Sequence, residues 1–185
     1  MISTADFKRG LTIELEGEVF TILDFQHVQL GRGSARVQAK LRNVRTGNVF
    51  ERSFRAGERM EEAYIERRQM QHLYGASDEH VFMDMKSFDQ MSLSLDQLGD
   101  AVTYLKEHLT VNILMHEGSV IGVELPDSVE LKVTQTDPGL RGDTATGGTK
   151  PATVETGATV QVPLFVDEGD VIRVDTRSGQ YLERA

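Results

Sequence analysis

The chain has 185 residues, with 29 acidic against 20 basic side chains and a net charge of -9. That balance argues against a generic nucleic-acid binder, which usually carries a basic total. An ordinary share of hydrophobic residues (39%) excludes an acidic disordered tail, and the absence of cysteine excludes disulfides, thiolate metal sites and cysteine nucleophiles.

No run approaches the roughly 18 consecutive apolar residues of a membrane span. Lys8 and Arg9 are followed by no apolar core, so no secretory leader is expected. A reducing, cytoplasmic setting fits this composition. The total charge hides a segregation: residues 1–63 net +1, residues 64–126 net -6 and residues 127–185 net -4. Within the first third, Arg32, Arg36, Lys40, Arg42, Arg45, Arg52, Arg55 and Arg59 are opposed, inside their own run, only by Glu51 and Glu58. A solvated strand face and an anion-binding face are both compatible with such a run.

Taken in chain order, most segments read as short strands. Thr12 to Glu16 alternates with period two, and Glu18 to Phe25 is an apolar run broken by Thr21 and Asp24. Ala35, Val37, Ala39 and Leu41 face one way and Arg36, Gln38, Lys40 and Arg42 the other, the pattern of a half-buried strand. Leu30-Gly31-Arg32-Gly33-Ser34-Ala35 lacks the third glycine and the following helix of a dinucleotide fingerprint. It reads as a hairpin tip between arms Val19–Phe25 and Ala35–Leu41, with Arg32 at the apex between glycines that tolerate positive φ. Taken alone, the segment favours an ordinary surface arginine in an ordinary turn. Thr46-Gly47-Asn48 turns the chain into a strand over Val49 to Phe54.

The polar stretch Gly57–Glu62 reads as a junction, as does Pro126-Asp127. Between them strands are expected at Ala63–Tyr74, Val81–Met85, Met91–Leu95, Leu109–His116 and Val120–Leu125. Ser94-Leu95-Asp96-Gln97 has capping-box form and opens a short helix through Leu98, Val102 and Leu105. Beyond the second junction, strands are expected at Val129–Thr134, Thr159–Leu164 and Val171–Asp175. Short strands at this spacing define an all-β chain of barrels or sandwiches. The junctions divide it at 1–63, 64–126 and 127–185.

Tests for catalytic chemistry fail along the chain. His27, His72, His80, His108 and His116 form no HxH or HxxxH pair, and each reads as a satisfied core or surface histidine. Serine elbows are absent and no carboxylate pair can be placed in one cleft. Gly142 to Lys150 resembles a phosphate loop, but Gly148 stands where the lysine belongs and Pro151 replaces the helix start. No catalytic residue, metal or cofactor is expected.

The C-terminal third carries Lys150-Pro-Ala152, Gly157, Val162-Pro163 and Gly169. With Asp137 to Thr144 before them and Val174 to Tyr181 after, and with the glycine-flanked basic tip, these residues resemble the bacterial translation elongation factor P family over the whole chain. The resemblance implies three β-barrel domains, one SH3-like (KOW-like) and two OB-type, in an L-shaped, tRNA-like arrangement. It implies a non-enzymatic, monomeric cytoplasmic factor whose partners are the ribosome, peptidyl-site tRNA and ribosomal RNA, with no membrane role. Such factors bind between the peptidyl and exit tRNA sites and relieve stalling at consecutive prolines. Carried over by position, Arg32, with Gly31 and Gly33, reaches the acceptor end of the peptidyl-tRNA. Arg36, Lys40 and Arg42 contact RNA phosphates, and Gly142, Asp143 and Thr144 lie near the exit-site codon.

Many members carry Pro-Gly-Lys-Gly at the tip, with a lysine that is modified. Arginine here excludes that chemistry. Some arginine-bearing members are rhamnosylated, with flanks that usually differ from Gly33-Ser34, and others act unmodified, so Arg32 stands as a modification-site candidate with the unmodified form favoured. The competing class is a general OB-fold module for single-stranded RNA. Such modules stack bases on exposed aromatics, and only 6% of this chain is aromatic, with no tryptophan.

Overall fold

Period-two alternation and β-branched residues set the architecture, which a computed structural model describes for residues 1–29, 31–139 and 148–185. Among these residues strand is the dominant structure, with helix confined to a few short turns. The first curled sheet contains β1 (Ile2–Ser3), β2 (Thr12–Leu15), β3 (Glu18–Val28), β4 (Arg36–Asn43), β5 (Val49–Arg55) and β6 (Arg59–Glu62), in the order β1-β6-β2-β3-β4-β5. Every registered pairing in it is antiparallel.

The second sheet contains β7 (Glu66–Ala76), β8 (Glu79–Asp84), β9 (Gln90–Ser94), β10 (Thr110–His116) and β11 (Ser119–Glu124), in the order β11-β10-β7-β8-β9. The third contains β12 (Ser128–Thr136), β13 (Thr149–Val154), β14 (Thr159–Pro163), β15 (Val171–Asp175) and β16 (Tyr181–Arg184), in the order β14-β13-β12-β15-β16. The breaks 63/64 and 126/127 both fall between strands. By packing density the described chain forms two compact units. One is Met1–Arg68 with Ile113–Gly122; the other is Gln69–Asn112 with Val123–Ala185.

Each core is the inward row of its strands. In the first sheet Ile13, Ile22, Val37, Ala39 and Leu41 are wholly buried, closed over by Phe7, Phe54 and Met60. The third core is dominated by valine: Val129, Val133, Val154, Val160, Val162 and Val174 surround Leu131 and Ile172. Valine is stiff at χ1 and suits a pleated surface packed on one face, so it loses little entropy when buried there.

Three expectations change. Residues 59–62 are not a junction but strand β6, paired with β1 and β2, because Met60 supplies an inward apolar contact among charged neighbours. Residues 149–154 form β13 despite Pro151, with Lys150, Ala152 and Val154 facing inward. The helix opened at Ser94 is a single turn, α1 (Leu95–Leu98), followed by a 3-10 segment, Gly99–Tyr104. Its capping box is formed as expected, with the Ser94 hydroxyl accepting from the Gln97 amide. Gly99, at φ +55, takes a backbone conformation that ends the α-helix there.

Candidate nucleic-acid interface

The longest hairpin of the first sheet carries the predicted tip. The arm expected over Val19–Phe25 runs on as β3 to Val28, and the returning strand, β4, starts at Arg36. A bulge between Ile22 and Asp24 lets the outward row of β3 continue from Thr21 to Asp24, Gln26 and Val28. Beyond the arms, Gly31, Arg32, Gly33, Ser34 and Ala35 are all exposed. Gly31 takes φ +46, the left-handed conformation that glycine adopts at no steric cost. Gly33 does not use that freedom. Among the described residues Arg32 forms no hydrogen bond or ion pair, so its five donors are available to a partner. Leu30, the first residue of the expected tip, lies outside the described residues.

The outward row of β4 holds Arg36, Lys40 and Arg42, all exposed, while Val37, Ala39, Leu41 and Asn43 are buried. The registers place different neighbours beside each cation. Arg36 stands between Val28 and Arg55. Lys40 stands between Asp24 and Glu51, and Arg42 between Thr21 and Val49. Asp24 also accepts from Arg9 at 2.9 Å, and that hydrogen bond, a backbone donor and the nearby charges of Arg9 and Lys40 hold its carboxyl below the usual range. Glu51 accepts from the Gln38 amide at 2.9 Å.

Of the remaining basic run, Arg45 pairs with Glu18 at 3.2 Å and Arg52 with Glu16 at 3.4 Å. Spacing within the run could not show these pairs, because both carboxylates come from the preceding hairpin. Asn43 fixes the β4–β5 turn from inside: its Nδ2 donates to Glu18, and its Oδ1 accepts from the amides of Arg45 and Thr46. Among the described residues, Arg32, Arg36 and Arg55 are the cations at the tip end with neither an ion pair nor a carboxylate as registered neighbour. Arg55 belongs to the basic run read from the sequence, but only the cross-strand register sets it beside Arg36. Gly142, Asp143 and Thr144 lie outside the described residues.

Two histidine sites were also invisible in the spacing. His72, buried on β7, holds Lys106 O with Nδ1 at 2.8 Å, and its Nε2 lies 2.9 Å from Nδ1 of His80 on β8. His116, at the end of β10, lies beside Glu14 of β2.

Curled all-β sheets with a basic hairpin tip match a known set of domains. Residues 3–60 fit the model of the elongation factor P KOW-like domain, residues 65–123 that of its OB domain, and residues 129–184 that of its C-terminal domain. The class so defined is a translation factor assembled from small β-barrels. Full-length curated relatives agree: elongation factor P of Moorella thermoacetica is 57% identical over 185 residues, covering all of both chains. That of Pelotomaculum thermopropionicum is 58% identical over 184 residues, again covering all of both. This chain belongs to the elongation factor P family. Among solved structures, eukaryotic translation initiation factor 5A from Methanococcus jannaschii shares the fold. It has a TM-score of 0.51 at 18% identity, over 66% of this chain and 92% of that one. An initiation factor 5A family protein from Naegleria fowleri gives a TM-score of 0.54 at 14% identity, over 67% of this chain and 96% of that one.

Proposed function

We propose that this chain binds the ribosome between the peptidyl and exit tRNA sites and speeds peptide bond formation at consecutive prolines. The observation that carries the reading is Arg32: an exposed guanidinium, unpaired among the described residues, at the apex of a hairpin and set beyond a left-handed glycine. Delivered to the acceptor end of the peptidyl-tRNA, it would hold RNA oxygens through several donors. Ordering the tRNA in this way lowers the barrier entropically, and the factor itself transfers no group. Arg36, Lys40 and Arg42 are assigned to RNA phosphates along β4. Gly142, Asp143 and Thr144 are assigned to the exit-site codon. The three sheets are read as three domains, 1–63, 64–126 and 127–185, and the factor as a monomer.

Arg32→Ala tests this in a reconstituted translation system with a proline-run reporter. Rescue should be lost while circular dichroism and melting stay those of the parent, because Arg32 has no structural partner among the described residues. Undiminished rescue would show that the tip has been assigned wrongly. Equal affinity for ribosomes and for random single-stranded RNA would instead favour a general RNA-binding module.

A further inference from the structure

Outside the tip, one side-chain cluster among the described residues is held only by a long ion pair, His116 to Glu14 at 3.5 Å. Glu14 of β2, His116 at the end of β10 and Glu117 in the following turn each bring a ligand atom within 4.8 Å of the others. All three belong to one compact unit. His116 Nδ1 lies 3.0 Å from the backbone carbonyl of Tyr64, which can only accept, so Nδ1 carries a proton and donates it. In the neutral ring Nε2 then presents a lone pair. That atom is buried, and it has no hydrogen-bond partner among the described residues.

The nearest carboxylate oxygen, Glu14 Oε2, stands 3.5 Å from Nε2. A charge-assisted N–H···O bond draws its atoms to about 2.7–2.9 Å, so 3.5 Å is long for one. It suits two ligands of a shared ion: nitrogen and oxygen each about 2.0–2.1 Å from a tetrahedral Zn²⁺ lie roughly 3.3–3.4 Å apart. An outer-shell backbone carbonyl that fixes the tautomer and aims the lone pair is the usual companion of a metal-binding imidazole.

We propose that Glu14, His116 and Glu117 form a site for a divalent transition ion of the Zn²⁺ type. Three protein ligands leave a fourth position for water on the exposed Glu117 side. The ion would tie the β10–β11 turn to β2. Packing already holds that hairpin close to the first sheet, since a Cβ placed on Gly122 would lie 3.2 Å from the Val44 carbonyl. The ion replaces a loose contact at the free end of the hairpin with coordinate bonds.

Titrating ZnSO₄ into the chelator-treated full chain near neutral pH, followed by calorimetry and thermal unfolding, tests the site. One Zn²⁺ per chain should bind, with a melting temperature that climbs with free Zn²⁺. His116→Gln and Glu14→Gln should each remove saturable binding, and His80→Gln should leave it unchanged, which separates this site from the His72–His80 pair. Glu117→Gln lies in an exposed turn and serves if a buried variant fails to fold; it should weaken binding at least about tenfold. Nitrogen-15 shifts of the His116 ring should move at Nε2 on adding Zn²⁺. No saturable uptake, or uptake that survives both His116→Gln and Glu117→Gln, overturns the proposal and leaves an imidazolium–carboxylate pair in its place.

Discussion

Arg36 and Lys40 lie on the same face of the same strand, yet register gives them opposite surroundings. Lys40 stands between two carboxylates, Asp24 and Glu51, so that row, with Arg9 on Asp24, is balanced in charge. Arg36 stands beside Arg55, a like charge directly opposite, an arrangement that costs stability unless an anion is shared. A phosphate arriving at Arg36 relieves that repulsion; one arriving at Lys40 must compete with carboxylates already in place. Arg36→Ala should therefore weaken factor binding to ribosome–tRNA complexes more than Lys40→Ala does. It should also lower the slope of log affinity against log salt by about one unit, the loss of one phosphate contact. Binding measured across a salt series checks the order. Equal losses would mean that the Asp24 and Glu51 carboxylates do not neutralise Lys40.

At the scale of elements, the β7–β8 hairpin is set by the His72–His80 contact as well as by its ladder. The His80 ring lies over Gly75, its cross-strand partner, in the space that any Cβ at that position would enter. His80 cannot swing aside without giving up its 2.9 Å bond to the buried His72. Gly75→Ala should cost about 1–3 kcal/mol by overpacking, read from urea unfolding, and much less when combined with His80→Ala. This contact also shows what a sequence reading can reach. Alternation on β4, the capping box at Ser94 and the turn glycines were legible because each depends on neighbours a few residues away. Residues 59–62 were missed because one inward methionine among charges makes a weak pattern, and only pairing with β1 and β2 turns it into a strand. The tip Arg32 was legible as the centre of a glycine-flanked turn. The pairing of Arg55 with Arg36, the carboxylates flanking Lys40 and both histidine contacts were not, since each depends on which residues a register or a fold brings side by side.

For the whole molecule, charge is arranged by region. Residues 1–63 net +1 and place cations that are unpaired among the described residues at one hairpin end, while residues 64–126 net -6 and residues 127–185 net -4. Phosphate attraction is long-ranged and indifferent to sequence, so a uniformly basic chain of this size would be held on any exposed RNA. An acidic remainder would repel RNA wherever the basic tip is not engaged. On the function proposed above, productive binding would then depend on a few placed cations and on fit. Asp78, Asp89 and Glu107 are exposed and form no ion pair among the described residues, so their reversal to lysine leaves the cores untouched. Each reversal adds two charges, moving the net charge from -9 to about -3. The triple variant should bind random single-stranded RNA more tightly at low salt and lose that gain as salt rises, with its melting temperature near that of the parent. Its proline-run rescue should fall when competitor RNA is added, a sensitivity that the parent lacks. Filter binding over a salt series, paired with the competed translation assay, measures both effects. If random-RNA binding does not increase, the acidic regions do not act as a barrier to non-specific association.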